Sequence, residues 1–270
     1  MLTWARRRLV LALAACGAAC GTSALAQQPV AATSAGPLVA AASDLRPPLE
    51  EIARAFMQET GRAVRLSFGS SGAYYTQIRQ GAPVQLYLSA DEGYVARLHA
   101  EGWTRDAGML YGIGRIVLYA PHGSALPVDA ALHGLATRLQ AGQVRRLAIA
   151  NPEHAPYGRR AVEALQHAGL WKAVEPLLVH GENVSQAAQF AVSGSADGGI
   201  VALSLALSPP MAARGRHAVI AETWHTPLRQ RMVLLRSADA TAESFYRYLQ
   251  SAPARAVMRR SGFRLPGEAD

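Results

Sequence analysis

Three short stretches of this chain combine serine hydroxyls, small residues and helix-starting prolines in a way that suits a small anion. The first is Ala42-Ser43-Asp44-Leu45-Arg46-Pro47-Pro48. Proline fits the start of a helix, where an amide has no intrahelical acceptor to lose, so the two prolines place a helix start at Ser43 or Asp44. The Ser43 hydroxyl and the first amides then face outward, and a helix start of this kind attracts anions. Ser43 or Asp44 acting only as a cap would leave the same residues. The second stretch, Phe68-Gly69-Ser70-Ser71-Gly72-Ala73, again joins a strand to a helix. Its small residues let backbone amides approach a ligand, and its two hydroxyls add donors, although a plain turn has similar composition. The third, Asn151-Pro-Glu-His-Ala-Pro-Tyr157-Gly158, precedes a helix entered at Arg159. Pro156 and Gly158 bracket Tyr157, whose amide could sit at a helix start and whose hydroxyl could reach a cleft. The helix start at Glu182-Asn183-Val184-Ser185 could add another amide.

Other chemistries find less support. Gly69-Ser-Ser-Gly72 lacks the Gly-x-Ser-x-Gly spacing of a hydrolase elbow, and no His-Glu-x-x-His zinc pattern occurs. Glu153-His154 is a conceivable acid–base pair, but neighbours on a turn point apart, which favours structural or solvated roles. Tyr74 and Tyr75 are adjacent phenols, as a ferric-ion binder would want. On a helix they diverge by about 100°, so one packs and the other is exposed. A phosphate binder is the sharper rival, because Asp44 could accept the proton that phosphate retains.

The elements that must position these loops alternate along the chain. Leu38–Ala42, Val64–Phe68, Leu86–Ser89, Ile113–Ala120, Leu147–Ala150, Gly199–Ser204 and Met232–Leu235 read as strands. Leu49–Gln58, Tyr74–Gln80, Tyr94–Ala100, Ala161–Gln166, Val184–Val192, Ala242–Leu249 and Arg255–Arg260 read as helices. This alternation predicts mainly parallel sheets covered by helices, with ligands beyond the carboxyl ends of strands. The pattern restarts near residue 147, which favours two α/β lobes.

Residues 1–26 have the form of a secretory signal peptide: Arg6, Arg7 and Arg8, a short apolar run, then Ala24-Leu-Ala26. The run is too short for a stable membrane span. Cleavage after Ala26 removes Cys16 and Cys20 and leaves no thiol for a disulfide or metal site. Leu13-Ala-Ala-Cys16 also resembles a lipoprotein box, and cleavage there would leave a lipid anchor on Cys16. Residues 27–36 read as an Ala/Ser-rich linker. Without the leader's three arginines the formal charge of +8 becomes +5. The basic residues are scattered, with no aromatic-interleaved cluster that would suit nucleic acid.

Taken in order, Ala40-Ala-Ala-Ser-Asp-Leu45, Gly69-Ser-Ser-Gly72, Gly81-Ala-Pro83 with Leu88-Ser-Ala-Asp91, Asn151 to Gly158, and Glu182-Asn-Val-Ser-Gln-Ala187 form a series. From about Pro37 to Phe263 the sequence resembles the periplasmic molybdate-binding proteins of ABC importers. The resemblance implies a type II periplasmic binding fold, with two α/β lobes and an oxyanion in the cleft. Lobe 1 is expected over 37–120 and 225–270, and lobe 2 over 121–224. Ser43 and Ser70 or Ser71 would approach the anion from one lobe, and Tyr157 and the Val184 amide from the other. Where some members carry a ligand tyrosine, this chain has Ala202, and the Tyr157 hydroxyl would replace it. Asp44 would be turned away as a cap or hydrogen-bonded to neighbouring amides. The implied cargo is molybdate or tungstate, with phosphate and sulfate as alternatives. No cofactor, direct metal ligand or catalytic residue is expected. The implied partner is an inner-membrane ABC permease, met by a periplasmic monomer whose lobes close on the anion.

Overall fold

The computed structural model describes residues 36–267. The signal peptide, Cys16 and nearly all of the linker lie outside the described residues. Strand β1 (Leu38–Ala42) leads through a 3-10 turn (Ser43–Leu45) into α1 (Arg46–Thr60), followed by β2 (Arg65–Gly69), α2 (Ser71–Arg79), β3 (Val84–Ser89), α3 (Glu92–Ala100) and β4 (Met109–Gly114). The chain then enters a second sheet through β5 (Ile116–Pro121), α4 (His133–Gln140), β6 (Leu147–Ala150), α5 (Pro156–His167) and α6 (Trp171–Val174). It continues with β7 (Leu178–Gly181), α7 (Val184–Val192), β8 (Gly198–Ala202), α8 (Leu203–Ala206), α9 (Pro209–Ala212) and β9 (Gly215–Val219). Strand β10 (Leu228–Leu234) returns it to the first sheet, and α10 (Ala240–Tyr248) and α11 (Ala252–Arg260) finish that lobe.

The sheets have equivalent orders, β2-β1-β3-β10-β4 and β7-β6-β8-β5-β9. Each is mixed rather than mainly parallel. The parallel pairs are β1 with β2 and β3, and β6 with β7 and β8. Strand β10 runs antiparallel to β3 and β4, and β5 to β8 and β9. In both lobes the antiparallel strand is the one that arrives from the other lobe. The run across 113–120, apolar except at Arg115, hides this exchange. Instead of one strand it holds the end of β4 and nearly all of β5, in different sheets, and the crossing falls at Arg115. Strand β5 therefore sits in the second sheet, not in the lobe expected over 37–120.

The first lobe buries both faces of its sheet. Val39 and Ala41 face a core with Leu49, Ile52 and Phe56 of α1 and Phe245 of α10. Ala40 faces the other side, with Tyr74 and Ile78 of α2 and Val95 and Leu98 of α3. That division is the period-two alternation of a strand. In the second lobe, β5, β6 and β8 are buried throughout except at Pro121, beneath Ala161, Ala164 and Leu165 of α5 and Ala187, Ala188 and Ala191 of α7. No helix among the described residues is long and apolar enough to cross a membrane.

Candidate oxyanion-binding site

Strands β1, β2, β6 and β7 each end at a loop that starts a helical turn, and these four loops meet between the lobes. Residues 42–44, 69–71, 155–157 and 183–184, together with Ala90, line one cavity of about 10 Å³. That is well below the roughly 300–1,000 Å³ typical of pockets for drug-sized ligands. The closed cavity has room for about one water, so a larger group requires the facing loops to part slightly. Ser43, Ser70, Ser71, Tyr157, Val184 and Asp44 all lie on it. Ala202 does not; it closes β8, fully buried, opposite Ile116.

The first amides of a helix have no partner within the helix. Here local contacts satisfy most of them and leave one at each of three helix starts. In α7 the Asn183 side chain accepts from the amides of Ser185 (3.0 Å) and Gln186 (3.1 Å), which leaves Val184. In α5 Pro156 has no N–H and the Ala155 carbonyl accepts from Gly158 and Arg159, which leaves Tyr157. In α2 the Ser70 hydroxyl accepts from Ala73 and the His154 carbonyl from Gly72, which leaves Ser71. All three remaining amides belong to residues on the cavity wall.

Two hydroxyls add to them. Ser43 Oγ accepts from the Ser185 amide at 3.2 Å, and Ser71 Oγ accepts from the Ala90 amide at 2.9 Å. Each hydroxyl keeps its proton to donate. Ser70 is placed differently. Its Oγ lies 2.8 Å from His154 Nδ1 and donates to the His154 carbonyl at 3.1 Å, so its proton is committed across the cleft. The donor set is thus three amides and two hydroxyls, with no arginine, lysine or histidine on the wall. Oriented dipoles of this kind stabilise an anion without a paired cation.

Asp44 is the one charged group on the wall. It is fully buried, and its Oδ2 accepts from Tyr157 Oη and Gln230 Nε2, both at 2.9 Å. Tyr111 Oη donates in turn to Gln230 Oε1 at 2.6 Å. Burial pushes the Asp44 carboxyl up to about 6, and the bonds from Gln230 and Tyr157 and the nearby amides of Asp44 and Leu45 offset it only in part. Those amides do not satisfy its second oxygen: Oδ1 is buried without a hydrogen-bond partner. The Tyr157 hydroxyl, expected to reach the anion, instead donates to Asp44. A buried carboxylate needs donors, and this phenol is placed to give one. Burial and the neighbouring carboxylate hold the Tyr157 phenol well above its ordinary range. Tyr157 therefore offers the cavity its amide. Gly114 permits the arrangement, since a Cβ there would lie 2.3 Å from Tyr157 Oη and 2.5 Å from Gln230 Nε2.

The lobes also touch around the rim. Ser185 Oγ donates to the Ser43 carbonyl (2.9 Å), Ser204 Oγ to the Asp44 carbonyl (2.8 Å), and Arg159 pairs with Asp91 (2.8 Å). The cleft is closed. His154 reaches Ser70 while Glu153 turns to Asn151, so the two residues have separate partners. Tyr74 Oη meets Ser67 and Tyr75 Oη meets Glu101, so the phenols diverge. No group of three metal-ligating side chains occurs among the described residues. Gly81-Ala-Pro83 lies elsewhere, in a groove of about 500 Å³ beside the start of β3, the end away from the cavity.

Gln230, Tyr111, Ser185 and Ser204 were not singled out from sequence as parts of the site. Gln230 and Tyr111 sit inside strands, where nothing local marks a polar side chain as buried. Their signal is available only from pairing: β10 places Gln230 across from Gly112, one residue beyond Tyr111.

Two mixed α/β lobes closing on a small cavity of helix starts define a solute-binding protein. The chain belongs to the family described as bacterial extracellular solute-binding protein, whose model matches residues 37–264. It is 34% identical over 234 residues to the molybdate-binding protein ModA of Rhodobacter capsulatus, covering 85% of this chain and 89% of that one. It is 32% identical over 267 residues to ModA of Azotobacter vinelandii, covering 98% and 100%. The solved structure of the Azotobacter vinelandii periplasmic molybdate-binding protein superposes with a TM-score of 0.77 at 31% identity, covering 85% of this chain and 99% of that one.

Proposed function

We propose that this protein captures molybdate in the periplasm and delivers it to an inner-membrane ABC permease, with tungstate as an equally suited cargo. The observation that carries the proposal is the donor set: three unpartnered helix-start amides and two free hydroxyl protons on one small cavity. Molybdate is a dianion without a proton near neutral pH, and donors alone can satisfy all its oxygens. The relatives named as molybdate-binding proteins support the same cargo. Tungstate matches molybdate in charge and nearly in size. Sulfate is smaller, so its exclusion rests on the cavity's dimensions. Binding favours the closed form, because only there do Ser43 and Ser71 of one lobe and Tyr157 and Val184 of the other reach the same anion. The permease would then meet a monomer in this closed form. The protein itself performs no reaction in this reading. Ser70 and His154 serve as partners across the cleft, with largely exposed Glu182 3.6 Å from His154 Nε2.

A protonated oxyanion such as phosphate is the second reading, and the unpartnered Asp44 Oδ1 favours it. A carboxylate oxygen can accept the proton that phosphate carries, whereas an all-donor site leaves it unmatched at a cost of about 1–3 kcal/mol. Calorimetric titration of the ligand-stripped protein separates the two. Molybdate and tungstate are expected to bind tightly, with little heat from sulfate or phosphate. Phosphate binding most tightly would move the function to phosphate capture and leave the fold unchanged.

A further inference from the structure

We propose that Asp44 is a proton-carrying ligand: closure on the oxyanion brings one proton onto Asp44 Oδ1, and the resulting carboxyl group donates it to the anion. The inference rests on the molybdate reading and adds to it a donor that the closed, ligand-free site does not yet possess.

The geometry leaves little choice. Asp44 lines the cavity and is fully buried. Oδ2 already receives two donors, from Tyr157 and Gln230, so a proton on this carboxyl belongs on Oδ1. Oδ1 has no partner of its own. An ionised carboxylate beside a dianion, with an unsatisfied oxygen and no cation on the wall, would be repelled and poorly solvated. Protonation removes the repulsion and turns the orphaned acceptor into a sixth donor. Gln230 supports this from behind, since Tyr111 holds its Oε1 and fixes its Nε2 on Asp44.

The surrounding groups are few. Tyr157 of α5 and Tyr111 of β4 are the titratable side chains facing Asp44, and both are held well above their ordinary range. Helices α7 and α8 present Ser185 and Ser204, which bond to the backbone of residues 43 and 44. On α1, Arg46 and Glu50 pair with each other at about half exposure. Nearer the rim, Arg159 is paired with Asp91, and His154 stands between Ser70 and Glu182.

The sign of the pH dependence follows. Burial already raises this carboxyl to about 6 in the closed protein. Opening the cleft admits water, which lowers it, and because burial is the largest cause this outweighs the loss of the Tyr157 bond, which alone would raise it. A dianion alongside raises it further. Between about pH 6 and 8 the ligand-free carboxyl is therefore mostly ionised and the bound one protonated, so binding takes up a proton. Linkage then requires affinity to fall as pH rises, by up to about tenfold per unit above 6.

The test is titration with sodium molybdate at pH 7.5 in imidazole, HEPES and Tris, whose ionisation enthalpies differ. The slope of observed enthalpy against ionisation enthalpy counts the protons taken up. Wild type is expected to give a slope near one, and Asp44→Asn, which keeps the shape and supplies a permanent donor, a slope near zero. From pH 7 to 8 the affinity of wild type is expected to fall about tenfold, and that of Asp44→Asn to stay level. A proton taken up by His154 would persist in the variant, so an equal slope in both proteins overturns the assignment to Asp44. A zero slope in wild type overturns it without any variant. Absence of molybdate binding at every pH refutes the cargo itself, whereas tight binding with zero slope refutes only the proton.

Discussion

Replacing Val184 by proline is expected to weaken molybdate binding by at least 10- to 150-fold while leaving α7 in place. Val184 is the first residue of that helix, the position where proline fits best, and Asn183 before it has the extended backbone that a following proline requires. The Asn183 side chain would still cap Ser185 and Gln186. What disappears is one N–H, the one amide of that helix start with no local acceptor. A hydrogen bond to a charged group contributes about 1.5–3 kcal/mol, the range that gives the stated factor. The proline ring would also enter the space through which the amide meets the anion, so the estimate is a lower bound. Calorimetry measures the loss, and an unchanged melting temperature of the ligand-free protein confirms that the helix persists. Unaltered affinity would remove Val184 from the donor set.

Gly72→Ala is expected to act by a different route, by holding the lobes apart. A Cβ at this position would lie 2.6 Å from the His154 carbonyl oxygen, 2.6 Å from Tyr94 Oη and 3.0 Å from His154 Cα. The Tyr94 hydroxyl ends a side chain and can move. The His154 backbone cannot move without widening the cleft, and the Gly72 amide bond to that same carbonyl would be lost. Overpacking of this kind costs about 1–3 kcal/mol, which corresponds to a loss of roughly 5- to 150-fold in affinity. The cost falls on the closed form alone. In the open form alanine should favour α2 slightly, since it is the better helix former. The signature is therefore weaker molybdate binding together with ligand-free melting unchanged or slightly higher. Small-angle scattering should show less compaction on adding molybdate than wild type does.

Both predictions depend on features that the sequence reveals unequally. The helix starts are legible, because prolines, serines and glycines at strand–helix junctions have local steric and hydrogen-bonding causes. Helix α7 falls where its apolar spacing puts it, at Val184–Val192. The strand exchange between lobes is not legible. Residues 113–120 are apolar except at Arg115, too short an interruption to separate two strands by itself, and pairing with β10 on one side and β8 and β9 on the other divides them. Strand β7, whose first three residues stay half-buried or exposed, and the mostly half-exposed β9 carry too weak an alternation to stand out. Within the site, the position of Ser43 on a helix turn is readable, but the direction of a side chain is not. Whether Ser70 or Ser71 keeps a free proton depends on His154, 84 residues away in sequence. Whether the Tyr157 hydroxyl faces an anion or a carboxylate depends on Asp44, 113 residues away. Long-range partners of this kind decide which of several equivalent donors remains available.

The most direct test of the central claim is a crystal of the molybdate-soaked protein measured at the molybdenum absorption edge. One dominant anomalous peak is expected in the cavity between the lobes, with the oxygens of the anion within hydrogen-bonding reach of Ser43 Oγ, Ser71 Oγ and the amides of Ser71, Tyr157 and Val184. A peak elsewhere, or none in that cavity under conditions where molybdate binds in solution, would contradict it.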